Sequence, residues 1–134
     1  MSDHQLLNPP GMPPAVGFAH AVAAAPGRPV LVAGQIGCDA EGTVVGDGFA
    51  EQFEAALGHV AAALAAAGAA PEHAVALTVY VTGMDEYRAA RRTLASAWRA
   101  HFGRHYPAMA VVGVTELVDP AAKVEIAAVA IVPS

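Results

Sequence analysis

A single cysteine, Cys38, leaves this chain without an internal disulfide and with too few thiolates for a multi-cysteine zinc site. Charge is scarce as well. Only 14% of the 134 residues are charged and 55% are hydrophobic, whereas an average soluble domain is about a quarter charged. So few charges cannot cover a small monomer, and part of the apolar surface is expected to be hidden in an oligomer. The formal net charge of −5 argues against an obligate nucleic-acid binder. The opening MSDHQLLNPPGMPP has neither a basic n-region nor an apolar h-region. The longest apolar run, Val60 to Ala70, is Ala-rich and too short to cross a bilayer. These absences lead to an expectation of a cytoplasmic protein with no membrane association, built as one domain over residues 1–134.

The segments that are present alternate between strand and helix patterns. Residues 1–16 hold four of the ten prolines and read as an extended arm. Phe18 to Ala24 and Pro29 to Ala33 are short apolar runs separated by Pro26-Gly27, which suits a hairpin. GQIGCDAEG, Gly34 to Gly42, has the punctuation of a loop. Asp47 is placed to cap a helix whose face carries Phe49, Phe53, Leu57, Val60 and Leu64, with Gly68 just past its end. Ala74 to Thr82 reads as a strand. Asp85 is placed to cap a second helix with Tyr87, Ala90, Leu94, Ala97, Trp98 and His101 on one face.

Two further apolar strands complete a β-β-α-β-α-β-β order, an α+β fold in which two helices pack on a sheet. In that order the helices can cover one face of the sheet only. The strands are apolar on both alternating sets, so the second face calls for another copy of the same sheet.

Within the last strand, KVEIAAVAIV, a lone acid sits among apolar residues. Glu125 is either wet at an edge, or paired with Lys123 two residues earlier, or desolvated. In the last case its pKa rises toward neutrality and it can exchange protons with a substrate or water. Six histidines raise a metal reading, with His101 and His105 four apart, but no third ligand stands at a telling spacing and no metal is expected. Arg88, Arg91, Arg92, Arg99 and Arg104 cluster on and after the second helix. A solvated helix face is the default reading and an anion or RNA patch the alternative. GQIG shares only its two glycines with a phosphate loop, and Cys38 has no neighbouring His to activate it.

Taken in order, VGFAHAV, VLVAGQIGCDAEGTVVG, FAEQFEAALGHVAAALAAAGA, VALTVYVTGMDEYRAAR, YPAMAVVGVTEL and KVEIAAVAIV resemble the Rid family (YjgF-like, reactive intermediate deaminase A and relatives) over nearly the whole chain. The resemblance implies a chorismate-mutase-like α+β fold and a homotrimer. Three sheets then form a central barrel with ligand clefts at the subunit interfaces. It also implies cofactor-free hydrolysis of enamines and imines such as 2-aminoacrylate. The family's catalytic Glu falls on Glu125, and its first-strand aromatic on Phe18. The family's Ser-Gly-Gln element becomes Ala33, Gly34 and Gln35. At Met109 this chain departs from the family, whose deaminating members carry an Arg there that grips the substrate carboxylate. Val111 likewise replaces a Cys.

Keeping the acid and losing the anion clamp changes the expected substrate. A lost buried contact between Arg and carboxylate weakens binding or rate by about 30-fold to several thousand-fold. Turnover of 2-aminoacrylate is therefore expected to be poor or absent. Two readings follow from the cleft residues. One is an enzyme for a neutral or cationic, more apolar imine, enamine or related carbonyl compound. The other is a non-catalytic trimer that binds a small molecule. A ribonuclease or translation-inhibitor role, also attached to the family, is opposed by the acidic balance.

Overall fold

The computed structural model describes residues 3–134, so the first two positions of the expected arm lie outside it. Strands β1 (Gln5–Leu7) and β2 (Ala21–Ala23) form a two-stranded antiparallel ribbon. The main sheet is built from β3 (Gly27–Ile36), β4 (Ala74–Val81), β5 (Ala108–Gly113) and β6 (Val124–Pro133) in the spatial order β3-β6-β4-β5. Helices α1 (Phe49–Ala66) and α2 (Met84–Phe102) provide the crossovers, and β4 pairs with β5 in parallel. The result is the expected α+β arrangement with one additional short strand, β1.

The helical faces read from spacing are the packed ones. Phe49, Phe53, Leu57, Val60 and Leu64 of α1 are 5% exposed or less, and Leu94, Ala97, Trp98 and Phe102 of α2 are buried with them. Gly68 follows α1 at φ +75°, a conformation costly for any residue with a Cβ. Both start sites differ from expectation. Gly48 rather than Asp47 is the N-cap of α1, and Glu51 accepts the Gly48 N–H at 3.1 Å. Gly83 caps α2, so Asp85 lies within its first turn, bonded to Arg88 at 3.2 Å and favourably near the positive end of the helix dipole.

The Pro26-Gly27 hairpin also differs, because β2 pairs with β1 instead of β3. His4 fixes that ribbon to the sheet. Its Nδ1 accepts the Ala25 N–H at 3.0 Å, which leaves Nε2–H to donate to the Ile131 carbonyl at 2.8 Å.

Strand alternation separates the two faces of the sheet. Val30, Val32, Leu77, Val79, Val81, Val124, Ile126, Ala128 and Ala130 face α1 and α2 and are buried. The opposite face carries Leu31, which is 79% exposed, together with Ala33, Thr78, Ala110, Val112 and Glu125. Both helices lie on one side, and the other side of a largely apolar sheet is left open.

Candidate functional site

The open face is organised around a defect in the β3–β6 ladder. Val32 pairs with Ala128 and Gln35 with Ile126, so Ala33 and Gly34 together oppose Ala127. This is a β-bulge, a feature that bends a strand and re-aims its side chains. The Gln35 side-chain amide donates to the Ala33 carbonyl at 3.0 Å across the bulge. Beyond it, Ile36, Glu125, Tyr80 and Val112 stand in register across β3, β6, β4 and β5.

Glu125 folds over the bulge. A Cβ added to Gly34 would collide with the Glu125 carboxylate and lie 2.7 Å from its carboxyl carbon. A Cβ added to Gly37 would lie 2.6 Å from the Gln52 Cα on α1. The two glycines of GQIG thus each admit a close approach, Gly34 of a side-chain acid and Gly37 of a helix backbone.

The Glu125 side chain forms no hydrogen bond or ion pair with any described residue. Lys123, a candidate partner in sequence, lies just outside β6 and pairs with Glu86 of α2 at 2.9 Å. The carboxylate is therefore half-buried, unpaired and set beside backbone, an arrangement able to hold a water or a polar substrate group.

Met109 and Val111 lie elsewhere. They are in parallel register with Leu77 and Val79, which point toward the helices, so they share the helix-side face. There they line a cavity of about 1080 Å³ between β5, α2 and the N-terminal segment, and Phe18 lines it too. Phe18 and Met109 also border a second cavity of about 440 Å³ at the β4–β5 edge. Phe18 stacks edge-on against His20 at 5.2 Å between centroids. Within one chain the expected site residues consequently form two groups. Phe18, Met109 and Val111 stand on the helix side of the sheet, and Ala33, Gly34 and Glu125 gather at the bulge and on the open face, while Gln35 sits at the bulge in register with the helix-side Ile126.

The histidines have visible structural work. His4, His20, His59, His73 and His105 each direct a ring nitrogen to a backbone group at 2.7–3.0 Å. Among the described residues no three His, Cys, Asp or Glu side chains are grouped as metal ligands would be. Gln52, which the sequence did not single out, is fully buried on α1. It donates to the Gly46 carbonyl at 2.6 Å and the Ala121 carbonyl at 3.2 Å, and accepts the Lys123 N–H at 2.8 Å. A polar residue inside an otherwise apolar helix face was the only available signal.

A mixed sheet covered on one face by two helices, with a bulged strand under an unpaired acid, defines an α+β fold of one sheet and two helices. The chain belongs to the YjgF/Rid family: the family model described as endoribonuclease L-PSP matches residues 11–132. A Rid-family protein of unknown function from Yersinia pestis is 32% identical with a TM-score of 0.87, covering 97% of this chain and 99% of that one. A YjgF-family member from Mycobacterium tuberculosis is 34% identical with a TM-score of 0.64, covering 87% and 88%. The YjgF gene product of E. coli is 28% identical with a TM-score of 0.69, covering 87% and 90%. Comparison with curated protein sequences returns no significant match.

Proposed function

We propose that the protein works as a homotrimer that hydrolyses or otherwise processes a reactive imine, enamine or related carbonyl compound in clefts between its copies. The observation that carries this reading is the Glu125 carboxylate, held over Gly34 on the uncovered sheet face without a partner among the described residues. The division of the site residues between two faces supports a shared cleft. The Phe18, Met109 and Val111 wall of one copy then meets the Ala33, Gly34 and Glu125 bulge of its neighbour. Glu125 acts as general acid and base on the substrate or on a bound water. Met109 offers a thioether where a carboxylate clamp would stand, so the reacting end of the substrate is uncharged.

Turnover of enamines generated in situ, from a carboxylate-bearing amino acid and from a neutral amine, tests this. Wild type is expected to act on the neutral substrate, and Glu125→Gln to lose roughly 100-fold or more of that rate while remaining folded. Met109→Arg is expected to gain activity on the carboxylate substrate. Unchanged turnover in Glu125→Gln would remove the acid from the mechanism. Silence of wild type and Met109→Arg on both substrates would assign the trimer a non-catalytic binding role.

A further inference from the structure

The cavity behind Met109 has a one-sided charge. Four of the chain's seven Lys and Arg residues line it, Arg88, Arg91, Arg92 and Arg99, yet none of its twelve Asp and Glu residues does. The positions 88, 91, 92 and 99 fall on one face of α2, and Ala95 between them leaves the face open toward the cavity. Asp85 answers Arg88. Arg91, Arg92 and Arg99 form no ion pair with any described residue. Arg88 stands three and four residues from Arg91 and Arg92, spacings at which like charges repel by a few tenths of a kcal/mol for each pair. A protein with net charge −5 has carboxylates to spare for neutralising such a stripe, and this cavity excludes them.

The aromatics are concentrated there as well. Five of the chain's eight, Phe18, Phe53, Tyr87, Trp98 and Tyr106, line the same cavity. Trp98 and Tyr106 stack at 6.1 Å with planes 12° apart, and the Trp98 indole N–H is already used by the His105 carbonyl at 3.0 Å. The walls therefore offer aromatic and aliphatic surface, and the only charged groups that line them are the guanidinium groups.

We infer that this cavity binds an amphipathic small-molecule anion, with its aromatic or branched apolar body against Trp98 and Tyr106 and its carboxylate or phosphate on Arg91, Arg92 and Arg99. The anion-binding role that Met109 cannot perform on β5 is carried by α2, displaced from the reacting carbon. The inference rests on the cleft reading above for the reacting end, and it replaces an uncharged ligand by one that is anionic at its far end. A cavity lined by one sign of charge also concentrates anions, an attraction that added salt screens.

Trp98 is the only tryptophan and lines the cavity, so its fluorescence reports binding without any turnover. Phenylbutyrate and its uncharged amide would be titrated into wild type, the double variant Arg91→Gln/Arg92→Gln and the double variant Arg91→Lys/Arg92→Lys. Both arginines are exposed, so folding is expected to survive, which circular dichroism checks. Wild type is expected to prefer the acid by about 10-fold, with the preference weakening in salt. The Gln variant should lose that preference and the Lys variant keep part of it. Equal binding of acid and amide by wild type, or a preference that survives in the Gln variant, would overturn the proposal. Tighter binding of a single-stranded oligoribonucleotide, abolished in the same Gln variant, would overturn it in favour of RNA. The acid preference is read from Trp98 fluorescence in wild type without any turnover, so the two readings fail separately.

Discussion

The two faces of the main sheet are made from the same residue types and have opposite consequences. Under the helices, Leu57, Val124 and Ile126 are 0% exposed, and the one buried polar side chain in that layer, Gln52, has every group bonded. On the other face, Leu31 is 79% exposed and Glu125 stands unpaired above Gly34. The first face satisfies itself within the chain. The second leaves apolar area and an acid to be satisfied by something outside it. The helix-covered face is thus closed within the chain and the open face is not.

Substitutions can test that separation. The largest effect on stability is expected from Leu57→Ala, about 2–5 kcal/mol by chemical denaturation, because the cavity it leaves has no solvent to fill it. Leu31→Ala should change the stability of the isolated chain by less than about 0.5 kcal/mol. It should instead weaken self-association measured by sedimentation equilibrium. The GQIG glycines sharpen the contrast. Gly37→Ala drives a Cβ against the α1 backbone and should cost about 1–3 kcal/mol. Gly34→Ala meets only a movable carboxylate, so it should leave the melting temperature nearly unchanged while displacing Glu125 and abolishing turnover. The smallest effect is expected from Lys123→Ala. Its pair with Glu86 is partly exposed, 31% and 45% for the two side chains, and should contribute about 0.2–1 kcal/mol, less in high salt.

Much of the helix-covered side was legible in the sequence. The spacing of Phe49, Phe53, Leu57, Val60 and Leu64 needs only the helical period, and that period also gives the α2 face from Tyr87 to Trp98. Strand β1 was not legible, because three exposed residues carry no alternation and are held through His4. The helix starts shifted because Gly48 and Gly83, residues without a side-chain acceptor, occupy the caps.

For the site, the lone acid Glu125 among apolar residues and the apolar residue at Met109 were readable, but their separation was not. A period of two says that Met109 and Val111 share a face, and so do Glu125 and Ala127. Which face each pair takes depends on strand order and on a bulge between Val32 and Gln35, and neither is written locally. The pairing of Lys123 with Glu125 failed for a related reason, since alternation begins only at Val124. The arginine cluster was visible as a run, but the gathering of Arg88, Arg91, Arg92 and Arg99 in one cavity that no carboxylate lines depended on where α2 packs.

The claim that one copy's bulge completes another copy's cavity has a direct test that needs no substrate. With Cys38→Ser as background, Met109→Cys and Glu125→Cys would be introduced together and treated with a short bis-maleimide. A ladder of covalently joined chains ending at the trimer, together with a trimeric mass for the untreated protein, is the predicted result. A monomeric mass, or a reagent that bridges the two cysteines only within a chain, would contradict the account.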